Sequence, residues 1–305
     1  MNQCSPSNLS NILIILAVAS ALILAYTYLV APEHSQIEGF TQSQPYVFKG
    51  GNDVYDDFYV EAYDNLFCND LRSENEIFHL IDTTGASVNR SNILDLGAGT
   101  GYLVEKLNQR GYKAYGIDKN AAMQKHNNEN HENAIIKHGD FLDPMAFDKG
   151  IFSHILCTNF TLYEVKNKTH LFINAHSWLK HNGYFMVHVI DADKFDTTVP
   201  LAKPTLLMNP QKHSNQKLSK THINFNGFKY DAEYIINTAT MYLKERFQDN
   251  VNKNVRENEH IYYLETPENI EKLAKSVGFH LHSKAKMTNI NGDKHQYLYI
   301  FEKSH

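Results

Sequence analysis

Between residues 92 and 190 the chain alternates short, nearly continuous apolar runs with stretches whose apolar residues recur at three- and four-residue steps. The runs at 93–96, 114–117, 134–137, 152–157 and 184–190 suit strands buried on both faces. From 102 to 110, Leu103, Val104 and Leu107 share one side before Gly111, which predicts a helix. Strand and helix in alternation predict an α/β fold, a doubly wound and mostly parallel sheet whose strand ends open on one crevice. Further on, Thr266-Pro267-Glu268 reads as the start of a helix, Ile270, Leu273 and Ala274 as its buried face, and Gly278 as its stop. Two more strands, 279–287 and 296–301, flank the reversing dipeptide Asn291-Gly292. Seven strands are expected, the last antiparallel.

The stretch 191–265 is far longer than the ~2–6 residues that usually join a strand to a helix, so it should carry structure of its own. Ile223 and Phe225 alternate before Asn226-Gly227, and Phe228 and Tyr230 alternate after it, a hairpin signal. With further strands at 241–247 and 260–264, an antiparallel β insertion after strand 5 is expected, covering the substrate side of the crevice, with a mobile loop at 200–220. Upstream, Tyr55, Tyr59, Tyr63 and Phe67 fall at four-residue steps, so one face of a leader helix is aromatic.

At the N-terminus, residues 12–30 carry no charge and at about 1.5 Å per residue nearly match a ~30 Å hydrocarbon layer. A cleaved signal peptide fits less well, because no Lys or Arg precedes the run and Pro32 follows Ala31. The expected organisation is a tail at 1–11, a transmembrane helix at 12–30, a polar tether at 31–53 and one domain at 54–305. Lys49, the nearest basic residue, lies beyond the run, which favours a single-pass membrane protein with its domain on the cytosolic side.

The chemistry centres on Asp95-Leu96-Gly97-Ala98-Gly99-Thr100-Gly101, where three alternate glycines separate the first strand from its helix. Such a turn aims free N–H groups and a helix N-terminus at a ligand. A phosphate loop would need Lys and Ser or Thr after the last glycine, where Tyr102 and Leu103 stand. A dinucleotide fingerprint would need its third glycine at Tyr102. The second strand ends in Asp118, 17 residues after Gly101, an acceptor-only side chain suited to two ribose hydroxyls. The third delivers Asp140-Phe141.

This pattern resembles motif I of the class I S-adenosylmethionine-dependent methyltransferases, and small-molecule N-methyltransferases among them most of all. The resemblance implies a Rossmann-like sheet and S-adenosylmethionine as cofactor. It places Asp95, Gly97, Gly99, Gly101 and Asp118 on that cofactor, Asp140 at the adenine amino group and Phe141 on the ring. It also implies that the leader helix closes over the cofactor through Tyr55 or Tyr59. The fourth strand leads into Asn159 and Tyr163-Glu164, where the family puts the wall between cofactor and acceptor.

The expected activity is therefore in-line methyl transfer to N or O of a small molecule, with Tyr163, Glu164, Glu259 and His260 as candidate bases. The anchor makes a membrane lipid or a protein the alternative acceptor, and a non-catalytic cofactor-binding interaction module is the rival class. A net charge of −5 argues against general nucleic-acid binding. Cys4, Cys68 and Cys157 have no paired or metal-ligand spacing, and the 17 histidines form no HExxH, while His280 and His282 read as one face of a strand, so no metal is expected. The oligomeric state is left open.

Overall fold

The computed structural model describes residues 11, 13–21, 42–67, 70–202 and 209–304, without the side chain of residue 71. The chain divides into two units, Met1–Ile37 and Glu38–His305. In the first, residues 13–21 are helical.

The second unit is built on two sheets. The larger has seven strands: β2 (Asn92–Leu96), β3 (Lys113–Asp118), β4 (Ile135–His138), β5 (Phe152–Cys157), β6 (Leu179–Ile190), β11 (Phe279–Lys286) and β12 (Gln296–Lys303). Their order is β11-β12-β6-β5-β2-β3-β4. The pairs β6–β5, β5–β2, β2–β3 and β3–β4 are parallel, whereas β12 runs antiparallel to both neighbours. Ile93, Leu94, Ile155, Leu156 and Met186 are almost fully buried, as expected of strands covered by helices on both faces. Between β2 and β5 the strand order reverses, so their C-terminal ends open a crevice at that point.

The smaller sheet has the order β1-β10-β9-β8-β7, formed by β1 (Tyr46–Gly50), β7 (Lys220–Asn224), β8 (Phe228–Ile236), β9 (Thr240–Asp249) and β10 (Val255–Tyr263). β7 to β10 form an antiparallel meander, and β1 adds parallel to β10. Alternation sends Phe228, Tyr230, Leu243, Phe247, His260 and Tyr262 inward. The leader helix Asp57–Phe67 docks on this sheet through Arg256. Its Nη1 reaches both Asp56 carboxylate oxygens at 2.8 Å, its Nη2 donates to Val54 O, and its plane lies 5.0 Å from the Phe58 ring centroid.

Three expectations need correction. No helix among the described residues is long and apolar enough to cross a membrane. The helical residues 13–21, at about 1.5 Å each, reach less than half of a ~30 Å layer. Residues 12 and 22–30 of the apolar run lie outside the described residues, and the transmembrane helix, the single-pass membrane localisation and the cytosolic orientation built on it are withdrawn. The large sheet is also not a simple seven-strand arrangement, because its order is out of sequence and its directions are mixed. Finally, Tyr46–Gly50 is not tether but strand β1, held by backbone pairing from Tyr46↔Val255 to Gly50↔Glu259. Within the expected mobile loop, Pro200–Ala202 and Pro210–His213 are single 3-10 turns, and 203–208 lie outside the described residues.

Candidate active site

The glycine turn after β2 sits where the sequence places it, and its three glycines do different things. Gly97, Gly99 and Gly101 all have positive φ, at 66°, 56° and 85°, a region that side chains disfavour. A Cβ on Gly101 would lie 2.1 Å from Asn127 Oδ1, and one on Gly97 would lie 2.7 Å from Thr161 Cγ2. Gly101 is therefore required by packing and lies off the cleft. A Cβ on Gly99 would meet nothing nearer than Met123 Sδ at 3.9 Å. Bare main chain there faces open space.

That space is a cleft of ≈ 770 Å³, its open mouth included, lined among others by Tyr55, Gly97, Gly99, Asp118, Asp140, Phe141, Thr161 and Glu164. Asp118, at the end of β3, accepts from Gly99 N (2.9 Å) through Oδ2 and from Asn120 N (2.8 Å) through Oδ1. Each oxygen keeps a lone pair for a further donor. Burial raises the Asp118 pKa, and the two backbone bonds oppose that rise. Asp140 accepts from Leu142 N and is exposed to the cleft, while Phe141 is half-buried beside Gly97.

A second hollow shares Tyr63, Gly97, Gly99 and Thr161 with the first and continues past Asp95, Arg72, Glu76 and Asn159. Asp95 Oδ1 is buried without a hydrogen-bond partner. Burial, then Glu76 and Asp118, push its pKa well above the usual carboxylate range. Arg72 supplies the cation of this hollow, donating from Nε to Glu76 (2.8 Å) and from Nη1 to Asn159 (2.6 Å). Neither Arg72 nor Glu76 stands out in the sequence, since Arg and Glu four apart are ordinary on a helix. The wall is strained: Asn159 and Phe160 have φ of 55° and 70°, uncommon for residues with a Cβ and concentrated at functional sites.

The remaining candidates separate clearly. Tyr55 Oη donates to Glu164 Oε1 at 2.9 Å, so these two meet at the cleft. The Glu164 carboxylate faces the open cleft yet is enclosed by protein mass, and that desolvation raises its pKa against the lowering effect of the Tyr55 bond. Tyr59 is fully buried, with its hydroxyl 3.1 Å from His260 Nε2. His260 Nε2 lies 2.8 Å from Glu245 Oε2, and Tyr230 donates to Glu245 Oε1 at 2.7 Å. Tyr59 and His260 thus belong to a closed network under the small sheet. Tyr163 is buried and accepts from Ile190 N. Glu259 points to the outer face of that sheet, paired with Lys244 at 3.4 Å. Only Glu164 of the four candidate bases lines the cleft.

The residues present suit S-adenosylmethionine. The cleft offers an acid with spare acceptor capacity, bare main chain at Gly99 and an aromatic ring, and the adjoining hollow adds a partnerless buried carboxylate oxygen complementary to an ammonium group.

Comparison with known proteins agrees. A profile for the methyltransferase domain matches residues 70–284. An uncharacterized methyltransferase of Geobacillus thermodenitrificans (strain NG80-2) is 36% identical over 84 residues, spanning 27% of this chain and 37% of that relative. Among solved structures, an S-adenosylmethionine-dependent methyltransferase from Clostridium acetobutylicum ATCC 824 superposes with a TM-score of 0.61 at 16% identity, covering 81% of this chain and 98% of that one. SAM-bound CalS10, an amino pentose methyltransferase from Micromonospora echinaspora, gives 0.56 at 15% identity, covering 81% and 96%. The chain belongs to the S-adenosylmethionine-dependent methyltransferase family.

Proposed function

We propose that this chain methylates an amine nitrogen of a small molecule. The observation that carries the reading is Glu164, a desolvated carboxylate bonded by Tyr55 and placed in the same cleft as Asp118 and Gly99. When bound, S-adenosylmethionine supplies an electrophilic methyl group on a sulfonium and leaves as a neutral thioether. The chain's part is to hold and to deprotonate. Asp118 accepts the ribose hydroxyls, Phe141 packs on the base with Asp140 at its edge, and Asp95 and Arg72 face the amino-acid end.

Glu164 accepts the proton that an ammonium acceptor must lose before its lone pair is free. A raised carboxylate pKa brings it closer to that of an amine and eases the transfer. An oxygen acceptor would gain less from a carboxylate base, because a hydroxyl is far less acidic. A structure of this fold named as a sugar N-methyltransferase, KedS8 from Streptoalloteichus sp ATCC 53650, offers a precedent for nitrogen acceptors. Residues 191–265 serve in this reading as the acceptor-side cover.

The test is transfer of labelled methyl from S-adenosylmethionine to a panel of amino sugars and other small amines, with cofactor binding measured alongside by calorimetry. Turnover should rise with pH through the raised Glu164 pKa, and Glu164→Gln should remove that limb and lower kcat about 10²-fold or more while leaving cofactor affinity within a few-fold. Cofactor binding without transfer to any amine would sink the reading and favour the interaction module.

A further inference from the structure

Behind the glycine turn, three side chains from separate points of the sequence converge. Asp64 lies on the leader helix, His126 on the helix Ala121–Asn130, and His131 on the residue that ends it. Their ligand atoms all lie within 4.8 Å of one another. His126 Nε2 is 3.6 Å and His131 Nε2 3.8 Å from the same oxygen, Asp64 Oδ2. Two ligands on a tetrahedral ion at ~2.1 Å bonds stand about 3.4 Å apart, so both His–Asp separations are within a few tenths of an ångström of that spacing, and the two imidazole nitrogens, no more than 4.8 Å apart, would close the set by rotamer adjustment.

The groups are also prepared for it. Thr100 Oγ1 donates to Asp64 Oδ1 at 2.6 Å, which leaves Oδ2 turned to the imidazoles, as outer hydrogen bonds orient metal ligands. His131 Nε2 is buried and makes no hydrogen bond. The three side chains are only 15–22% exposed, sheltered yet reachable.

We propose that Asp64, His126 and His131 bind a divalent transition-metal ion of the zinc class. Two imidazoles and one carboxylate suit such ions and discriminate against magnesium and calcium, which prefer all-oxygen sets. Three protein ligands leave a fourth position for water. No spacing motif announces the set, because Asp64 stands 62 residues before His126. The ion would tie the leader helix to the helix after β3, and through the Thr100 bond to Asp64 it would also hold the leader against the turn between Gly99 and Gly101. Its role is structural, holding the leader against the turn, and it lies off the reacting atoms.

The experiment uses the full chain, stripped with a chelator and titrated with Zn²⁺ against a chromophoric competitor, then with Co²⁺ followed by visible absorption. One ion per chain, micromolar or tighter, with the intense bands of a low-coordinate Co²⁺ site, is expected. His126→Gln and His131→Gln should each weaken it at least tenfold, with far-UV circular dichroism unchanged. Hydrogen exchange of residues 57–67 should slow on adding Zn²⁺. No binding by the parent chain, or equal binding by the His126→Gln/His131→Gln double variant, would overturn the site. Unchanged exchange of 57–67 would overturn the tie to the leader.

Discussion

The cleft and the interior of the small sheet both bury carboxylates, and they treat them in opposite ways. Around the cleft, Asp95 Oδ1 has no partner and burial pushes its pKa well above the usual carboxylate range, while desolvation by the surrounding protein also raises Asp118 and the cleft-facing Glu164. Under the small sheet, Glu245 is enclosed by Tyr230, His260 and Asn258. A buried polar group left unmatched costs stability, whereas a matched network holds its elements in one arrangement. The first region keeps its bonding capacity for a ligand. The second has spent it on fastening the leader helix to the sheet.

The contrast can be broken most forcefully at Glu245. Glu245→Ala would leave Tyr230 and His260 buried without their acceptor, and a loss of about 3 kcal/mol or more is expected in urea unfolding. Cofactor affinity measured under folding conditions should hardly move. At Asp118 the outcome should reverse. Asp118→Ala is expected to weaken S-adenosylmethionine binding about tenfold or more in calorimetry, since charge-assisted bonds contribute roughly 1.5–3 kcal/mol, with a smaller loss of stability than Glu245→Ala because only the two backbone bonds to Gly99 and Asn120 are lost.

Asp95 sharpens the sign. Its folded pKa is raised, so the folded chain binds this proton more readily than the unfolded chain, and its contribution to stability is present at low pH and lost as pH rises through that value. Asp95→Asn should therefore raise Tm at neutral pH by a few degrees, with the gain shrinking as the pH is lowered. A fall in Tm at neutral pH would show that the Asp95 carboxylate is matched after all. The smallest effect belongs to Glu259 on the outer face: Glu259→Gln removes a partly exposed pair with Lys244 and should change stability by less than ~1 kcal/mol, and kcat not at all.

What the sequence made legible follows from local physics. An apolar run, a glycine turn and an amphipathic stretch are contiguous, so β2, the turn and its helix could be read directly, and Asp118 followed from the length of one helix and a return. The four-residue spacing puts Tyr55 and Tyr59 on one helix face, yet the helix begins only at Asp57, so Tyr59 is sealed against His260 while Tyr55, on the turn before it, reaches the cleft. Similarly, Glu259 and His260 are neighbours that a strand sends to opposite sides. Arg72 was hidden because its value depends on Asn159, 87 residues away and held by a left-handed backbone that no pattern announces. The apolar run 12–30 shows the limit of composition: its described part, residues 13–21, is a helix too short to cross a membrane, and the rest lies outside the described residues.

Strand β1 has a practical consequence for anyone wishing to transplant the acceptor-side sheet between relatives. A graft cut at residues 191 and 265 would carry four strands and leave the edge of β10 without the main-chain partners that residues 46–50 provide. Since Arg256 on that edge also grips Asp56, the donor segment would have to begin before residue 46 and run through the leader helix, making the exchangeable cassette two pieces of chain rather than one.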